Sequence, residues 1–227
     1  PGIDWPGRRV SDCLTVLQAA SVAHQLGKRQ ILSESFAMCG WNVSFEELRR
    51  IAEYQMVHGV TLLCQHLAPY SLGGIRKRDA PAALFVQQPW WKEYRHFNDF
   101  ISRVGMLLTL GNVHFSVLVL HPQQSAWALY DGSETSRAEI DRLNSALRST
   151  VQTLEHAQIP FHLGDDQMLS QHASIEGNRL CVGAQRYRAV IISPCLSLDA
   201  RVAALLAQFA QNGGTILCAE AEEPKAQ

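Results

Sequence analysis

The feature that most constrains the fold of this chain is the alternation of amphipathic helices with short apolar strands along its first half. Glycine follows each of the first two helices, and the capping-box pattern Ser44-Phe45-Glu46-Glu47 opens the second. Each helix leads to a new apolar strand, which is the chain order of a parallel sheet or barrel. The predicted elements are a helix over 12–26, a strand over 29–32, a helix over 44–58, a strand over 60–64 and a helix over 90–110.

A second α/β region follows a predicted boundary at Gly111-Asn112, which divides the chain into residues 1–111 and residues 112–227. We expect this second region to form an open, doubly wound, flavodoxin-like sheet. Asp165-Asp166 opens a short helix there, and the polar segment 123–136 has no periodicity. The predicted elements are strands over 115–120, 160–163, 179–182, 189–193 and 215–218, with helices over 138–156 and 199–211.

Composition argues against several classes of partner. The net charge is −1 and the sequence pI is about 6.9, so we expect no nucleic acid and no anionic membrane surface. The one dense basic run, Arg76-Lys77-Arg78, is followed at once by Asp79 and favours a solvated loop over a binding role. No apolar stretch reaches the roughly 18 residues of a membrane span.

The six cysteines are scattered and lack the C-x-x-C spacing of a zinc cluster. Cys64, Cys181 and Cys218 lie in apolar runs, which predicts buried thiols. We expect no disulfide framework, and this favours a reducing compartment such as the bacterial cytoplasm. The sequence leaves the localisation itself open. The opening segment, residues 1–5, has no initiator methionine, so we expect the true N-terminus to lie upstream.

Two polar side chains stand where predicted parallel strands end. Glu34 ends one apolar strand and His66 follows the next, and the carboxyl ends of barrel strands carry the chemistry of that fold. A carboxylate held there can serve as nucleophile or general base, and a histidine can hydrogen-bond a hydroxyl or share a proton. The alternatives are a helix-capping or ion-paired role for Glu34 and a structural role for His66.

Three further residues fall on the same predicted rim. Asp4 precedes the first helix, Trp41 lies in the loop beside Glu34, and Tyr70 follows His66 by four residues. We expect them to shape a binding cleft, although a turn aspartate and ordinary core aromatics explain each one separately. The serine-hydrolase elbow, the zincin motif, the P-loop and the dinucleotide fingerprint are all missing from the sequence. A helix N-cap explains Asp165-Asp166 better than a metal pair does.

The first half of the chain resembles the barrel of α-L-rhamnosidase-like glycoside hydrolases, family 106 and its uncharacterised relatives. The resemblance implies that residues 1–111 are the last strands and helices of a (β/α)8 catalytic barrel. It also implies that Glu34, on the penultimate strand, is the catalytic carboxylate, and that His66 is on the last strand. The matching segments are Pro1-Gly2-Ile3-Asp4, Leu32-Ser33-Glu34-Ser35-Phe36, Gly40-Trp41, His58-Gly59-Val60, Gln65-His66-Leu67 and Pro89-Trp90-Trp91.

The second half resembles the glutamine-amidotransferase-like, trimerisation-type domain that follows the barrel in several β-galactosidase-type enzymes. The strand before Pro194 and the segment Gly213-Gly214-Thr215 carry this likeness. It implies a structural role and a homo-oligomer formed through this domain. Cys195 follows Pro194 and is not in a nucleophile elbow, so no amidotransferase triad is predicted. No cofactor is expected, apart from calcium, which the rhamnosidase resemblance implies without assigning residues.

The leading hypothesis is a glycoside hydrolase that cleaves an O-glycosidic bond of a carbohydrate substrate. In this hypothesis Glu34 acts as nucleophile or general base. The sugar is bound by Asp4, Trp41, His66 and Tyr70. Glycoside hydrolysis needs two carboxylates, and the resemblance places the second on an earlier strand, so we expect the 227-residue chain alone to be inactive. The alternative is a non-catalytic carbohydrate-binding or scaffold α/β protein. A lone amidotransferase-like domain is disfavoured because a Cys-His-Glu arrangement is missing.

Overall fold

The computed structural model describes residues 2–5, 10, 13–66 and 68–219, with only the backbone for residues 2–5. The chain forms two compact units. Unit 1 comprises residues 1–23 and 28–112, and unit 2 comprises residues 24–27 and 113–227. Within the described part of the chain, every helix is either too short or too polar to cross a bilayer.

Unit 1 is built on a three-stranded parallel sheet with the order β1-β2-β3. Helices connect the strands, which gives the βαβ arrangement expected from the alternating sequence pattern. Two short 3-10 helices, Gly74–Arg78 and Trp91–Glu93, lie in the segment between β3 and the last helix. The elements are β1 (Gly2–Trp5), α1 (Leu14–Gln25), β2 (Leu32–Ser35), α2 (Phe45–Val57), β3 (Leu62–Gln65) and α3 (Tyr94–Leu108).

The core of unit 1 lies on one side of this sheet. The capping box that opens α2 is confirmed: the Glu47 backbone N–H donates to Ser44 Oγ, and the Ser44 N–H donates to the Glu47 carboxylate. Helix α3 passes so close to β3 that a side chain at Gly105 would collide with the carbonyl oxygen of Thr61. The largest buried members of this core are Phe36, Ile31, Leu48, Ile51, Tyr94, Phe97 and Ile101.

The predicted strands of unit 1 exist, but each begins later than the apolar runs indicated. β2 begins at Leu32 instead of residue 29, and β3 begins at Leu62 instead of residue 60. Glu34 is therefore a paired residue within β2, with Asp4 and Cys64 as its register partners on the neighbouring strands. The α/β class is confirmed by this sheet, and its closure into a barrel stays a prediction.

Unit 2 contains a four-stranded parallel sheet with the order β10-β9-β4-β5 and a separate three-stranded antiparallel sheet, β6-β7-β8. Strands β4, β5 and β9 of the parallel sheet are nearly all apolar and buried, as expected when helices cover both faces. The elements are β4 (Val117–Leu120), α4 (Gln123–Leu129), α5 (Glu134–His156), β5 (Phe161–Gly164), α6 (Asp166–His172), β6 (Ala173–Glu176), β7 (Arg179–Val182), β8 (Gln185–Tyr187), β9 (Ala189–Ile192), α7 (Ala200–Gln211) and β10 (Thr215–Cys218).

The cap predicted at Asp165-Asp166 is confirmed, and the structure shows a second aspartate cap in unit 2. Asp165 accepts a hydrogen bond from the Met168 N–H at the start of α6, and Asp199 accepts from the Arg201 N–H at the start of α7. Gly214 is required after α7, because any side chain there would collide with the Phe209 ring.

Three elements of unit 2 were not expected. Helix α4 lies in the polar segment 123–136, where no element was predicted, and β6 and β8 flank the one strand expected between residues 173 and 187. Each of these elements has only three to seven residues, which is too few to show a helical or strand period.

Two of the three thiols expected to be buried are exposed. Cys181 is buried, whereas Cys64 and Cys218 are exposed. Cys218 lies on β10, an edge strand of the sheet in unit 2, and Cys64 lies on the uncovered face of the sheet in unit 1. An apolar run predicts a strand, but it does not say whether both faces of that strand are covered.

Candidate active site

Glu34 and His66 come together at the carboxyl ends of β2 and β3. The distance from Glu34 Oε1 to His66 Nε2 is 3.7 Å. The Glu34 side chain is 47% exposed and the His66 side chain 18%, so the carboxylate is open to a ligand while the imidazole is mostly enclosed. The pairing of β2 with β3 in parallel register brings the two residues together.

A buried hydrogen-bonded cluster fixes the strand that carries Glu34. Ser33 and Ser35 flank Glu34 and, by strand alternation, point to the opposite face of the sheet. Ser33 Oγ donates to the Gln55 side-chain carbonyl, and Gln55 Nε2 donates to Ser35 Oγ at 3.1 Å. All three residues are fully buried. β2 is therefore tied to α2, and the Glu34 backbone has little freedom to move.

A second cluster holds the end of β3 beneath His66. The His66 N–H donates to the Ser35 carbonyl at 2.9 Å, Gln65 Nε2 donates to Asn98 Oδ1 at 2.8 Å, and the Tyr94 hydroxyl donates to the Gln65 side-chain carbonyl. Burial raises the pKa of Tyr94, so this hydroxyl stays a donor at neutral pH. His66 Nδ1 is buried and has no hydrogen-bond partner among the described residues.

The loop between β2 and α2 has an unusual backbone. Phe36 and Met38 have φ of 79° and 56°, in the left-handed region that costs energy for residues other than glycine. Phe36 is nevertheless completely buried. Packing of this ring in the core outweighs the local strain, and strained backbone of this kind clusters at binding and catalytic sites.

The other predicted site residues differ in how they are held. The Trp41 indole N–H donates to the Lys77 carbonyl at 2.8 Å, and the residue is 37% exposed, so part of its ring faces solvent. Tyr70 is fully exposed. Asp4 lies beside Glu34 in the register of β1 with β2, and its side chain is outside the described residues. The structure thus brings Glu34 and His66 into contact and records no contact of Trp41 or Tyr70 with either.

The polar clusters beneath the site were missed from the sequence. Gln55, Gln65, Tyr94 and Asn98 lie on different elements, and no local spacing links them. The sequence does contain one signal of the cluster around Gln55, the Ser-Glu-Ser triplet of β2. Two serines on the buried face of a strand require hydrogen-bond partners.

A third polar cluster lies within unit 2 and was also missed. His24 Nδ1 is 3.0 Å from His162 Nε2, His162 Nδ1 is 3.0 Å from the Tyr187 hydroxyl, and Gln25 Nε2 donates to that hydroxyl at 3.0 Å. Burial, followed by the charges of His24 and His114, lowers the pKa of His162 to about 3. Burial raises the pKa of Tyr187. These imidazoles are thus neutral, structural groups at pH 7.

The Glu34 site can supply one carboxylate with a histidine at its side. Among the strand-end side chains that the structure describes in unit 1, Glu34 is the only carboxylate. Such a pair can accept a proton, attack an electrophilic carbon or bind hydroxyl groups. No single described side chain in this site completes the two-carboxylate arrangement of a glycoside hydrolase.

Comparison with known proteins gives a structural neighbour and no sequence relative. No protein-family description matches the chain, and no curated protein matches it significantly. The structure is similar to that of a rhamnosidase from Novosphingobium sp. PP1Y, with a TM-score of 0.64 and 18% sequence identity. The match covers 94% of this chain and 20% of the rhamnosidase, so the chain spans about a fifth of its neighbour's length. At 18% sequence identity, this similarity is evidence about the fold alone.

Proposed function

We propose that this chain carries part of a glycoside hydrolase site, with Glu34 as a catalytic carboxylate acting on an O-glycosidic bond. The observation that carries the proposal is the 3.7 Å approach of Glu34 and His66 at adjacent strand ends of a parallel sheet. In α/β sheets of this kind the carboxyl ends of the strands are where ligands bind and react. The structural likeness to a rhamnosidase supports an α-L-rhamnoside as the first substrate to test.

The roles follow from position and exposure. Glu34, half-exposed at the strand end, serves as nucleophile or general base. His66 lies beside it with Nε2 directed at the carboxylate, so it orients Glu34 or binds a sugar hydroxyl. The exposed part of the Trp41 ring offers an apolar surface for a sugar ring, and Tyr70 belongs to the same rim by sequence.

The second carboxylate that hydrolysis requires has two sources in this proposal. One is a strand outside the 227 residues, as the resemblance to the longer enzymes implies. The other is Asp4, whose backbone pairs with Glu34 in the register of β1 and β2. The distance between the two reacting carboxyl groups decides whether such an enzyme inverts or retains configuration.

The test is a screen of the protein expressed from its own start codon against aryl glycosides, α-L-rhamnoside included. We expect Glu34→Gln to lower kcat by about 10²–10⁴-fold, because a positioned acid or base contributes that much. Glu53→Gln is the matched control, since Glu53 is an exposed glutamate of the same unit that pairs with Arg49 on the surface of α2. Full turnover by Glu34→Gln would refute the assignment.

The second candidate is a carbohydrate-binding protein without hydrolytic activity. The single described carboxylate at the strand ends favours it. If no aryl glycoside is cleaved but a sugar binds, and Trp41→Ala weakens that binding while Glu53→Gln does not, the binding function replaces the hydrolytic one.

A further inference from the structure

A small crevice opens in unit 2 where the order of its parallel strands reverses. β4 and β9 are neighbours in the sheet, and the strands that follow them in the chain, β5 and β10, lie on opposite sides of this pair. Ligands of open α/β sheets bind at such a point, outside the carboxyl ends of the strands. The crevice is lined by side chains that follow β4, β5 and β9, among them His121, Asp166, Ser193 and Cys195.

One wall of this crevice holds a hydroxyl group that lacks a partner. Ser193 directly follows β9, is only 2% exposed and has no hydrogen-bond partner for its Oγ within the described part of the chain. A buried polar atom without a partner costs stability, and nearly all such atoms in proteins are satisfied by protein, water or ligand. The Oγ of Ser125, which also lines the crevice, already accepts from the Leu196 N–H at 2.9 Å.

The lining of the crevice also includes a buried carboxyl group in an acidic setting. Asp166 is 7% exposed, and burial, followed by the charges of Asp199 and Asp165, raises its pKa. The Asp199 backbone N–H offsets this only in part. None of the described residues lining the crevice is a lysine or an arginine. A buried carboxylate is stable only when a cation or several donors compensate it.

We propose that the crevice binds one small monovalent cation, K⁺ or NH₄⁺, between the Asp166 carboxylate and the Ser193 hydroxyl. The enclosed volume is about 10 Å³, which holds one particle the size of a water molecule, and both ions have that size. One ion would compensate the buried carboxylate and give Ser193 Oγ the partner that it lacks.

Other ligand classes fit less well. An anion would meet the Asp166 carboxylate, with the charges of Asp165 and Asp199 nearby and no lysine or arginine in the described lining. Mg²⁺ keeps several waters of its octahedral shell and needs more room. Thiophilic metals need several ligand atoms close together, and Asp166, His121 and Cys195 do not form such a group among the described residues.

The experiment measures the melting temperature of the whole 227-residue chain in KCl, NH₄Cl, methylammonium chloride and choline chloride at equal ionic strength. We expect K⁺ and NH₄⁺ to raise Tm by about 2–4 °C over choline, in a saturable way, because a ligand that binds only the folded state stabilises it. The methylammonium sample distinguishes two sources of the bound cation, a free inorganic ion and the ammonium group of an organic amine. Asp166→Asn and Ser193→Ala should each remove most of the increment.

Asp141→Asn is the matched control, because Asp141 is an exposed carboxylate of the same unit on α5. It should keep the full increment. Equilibrium dialysis provides a second readout that does not depend on stability, with about one K⁺ retained per chain and none by Asp166→Asn. Equal melting temperatures in potassium and choline, or an undiminished increment in Asp166→Asn, would overturn the proposal and leave a water molecule as the occupant.

Discussion

The two parallel sheets of this protein differ in how completely they are covered. In unit 2 the strands β4, β5 and β9 are buried along almost their whole length. In unit 1 the strands β2 and β3 alternate, with exposed residues such as Leu32 (37%) and Leu62 (42%) on one face. Parallel sheets are normally covered on both faces, so the sheet in unit 2 is the ordinary one and the sheet in unit 1 is the exception.

The difference teaches where a site can form. Glu34 belongs to the same exposed face as Leu32, because strand residues two apart point to the same side. A carboxylate on a covered sheet would be buried, and it would be stable only with a cation or several donors beside it. An uncovered face instead leaves the Glu34 carboxylate open to solvent, at the expense of apolar area exposed to water.

The largest expected effect comes from removing the same side chain from each sheet. Leu118→Ala, at a fully buried position of β4, should lower the free energy of unfolding by about 2–5 kcal/mol, since it leaves a cavity. Leu62→Ala, on the open face of β3, should cost about 1 kcal/mol or less. Urea unfolding followed by circular dichroism measures both. Equal losses would mean that the face of unit 1 is covered in solution.

The next effect is the pH dependence of unit 2. Its buried His162 has a pKa near 3, below the unfolded value of about 6.5, so the unfolded chain binds a proton first as the pH falls. Stability is therefore full above about pH 6.5 and falls toward pH 3, by up to about 1.4 kcal/mol per pH unit for this group. Melting curves should show this slope. His162→Gln should flatten it, and His156→Gln, at an exposed position, should not.

The rates at which the cysteine thiols react should distinguish exposed strands from buried ones. Cys64 on the open face of unit 1 should react with an alkylating agent at least about tenfold faster than Cys181, which is buried and whose pKa burial raises. Mass spectrometry of peptides after timed labelling gives both rates. Cys218, exposed on β10, serves as the fast reference in unit 2. Slow labelling of Cys64 together with fast labelling of Cys218 would contradict an open face.

The smallest effect is the loss of a helix cap, and it should be the same in both units. We expect the units to differ in their sheets and not at their helix ends. Ser44→Ala at the start of α2 and Asp199→Ala at the start of α7 each remove a side-chain cap. Each should cost about 1 kcal/mol of unfolding free energy. Ser145→Ala, at an exposed position inside α5, should cost little, because alanine favours the helix interior. A much larger loss for one cap would show that the helix ends also differ between the units.

The sequence alone predicted the features that depend on local chemistry. The capping box of Ser44 and Glu47, the cap at Asp165 and the alternation of helices with parallel strands all follow from residues close together in the chain. The strand starts were displaced, because an apolar run shows which residues avoid water and not where pairing begins. Helix α4 and strands β6 and β8 were missed, because so few residues show no period.

What only the tertiary structure decided is which faces are covered and which distant groups meet. Cys64 and Cys181 stand in similar apolar runs, yet one is exposed and the other buried, since coverage depends on elements far away in sequence. The approach of Glu34 to His66 depends on the register of two strands, and the pairing of Gln65 with Tyr94 and Asn98 on the packing of α3. The sequence determined the helices, strands and caps, because their hydrogen bonds and propensities are local. Tertiary packing determined the site, because its contacts join residues that only the fold brings together.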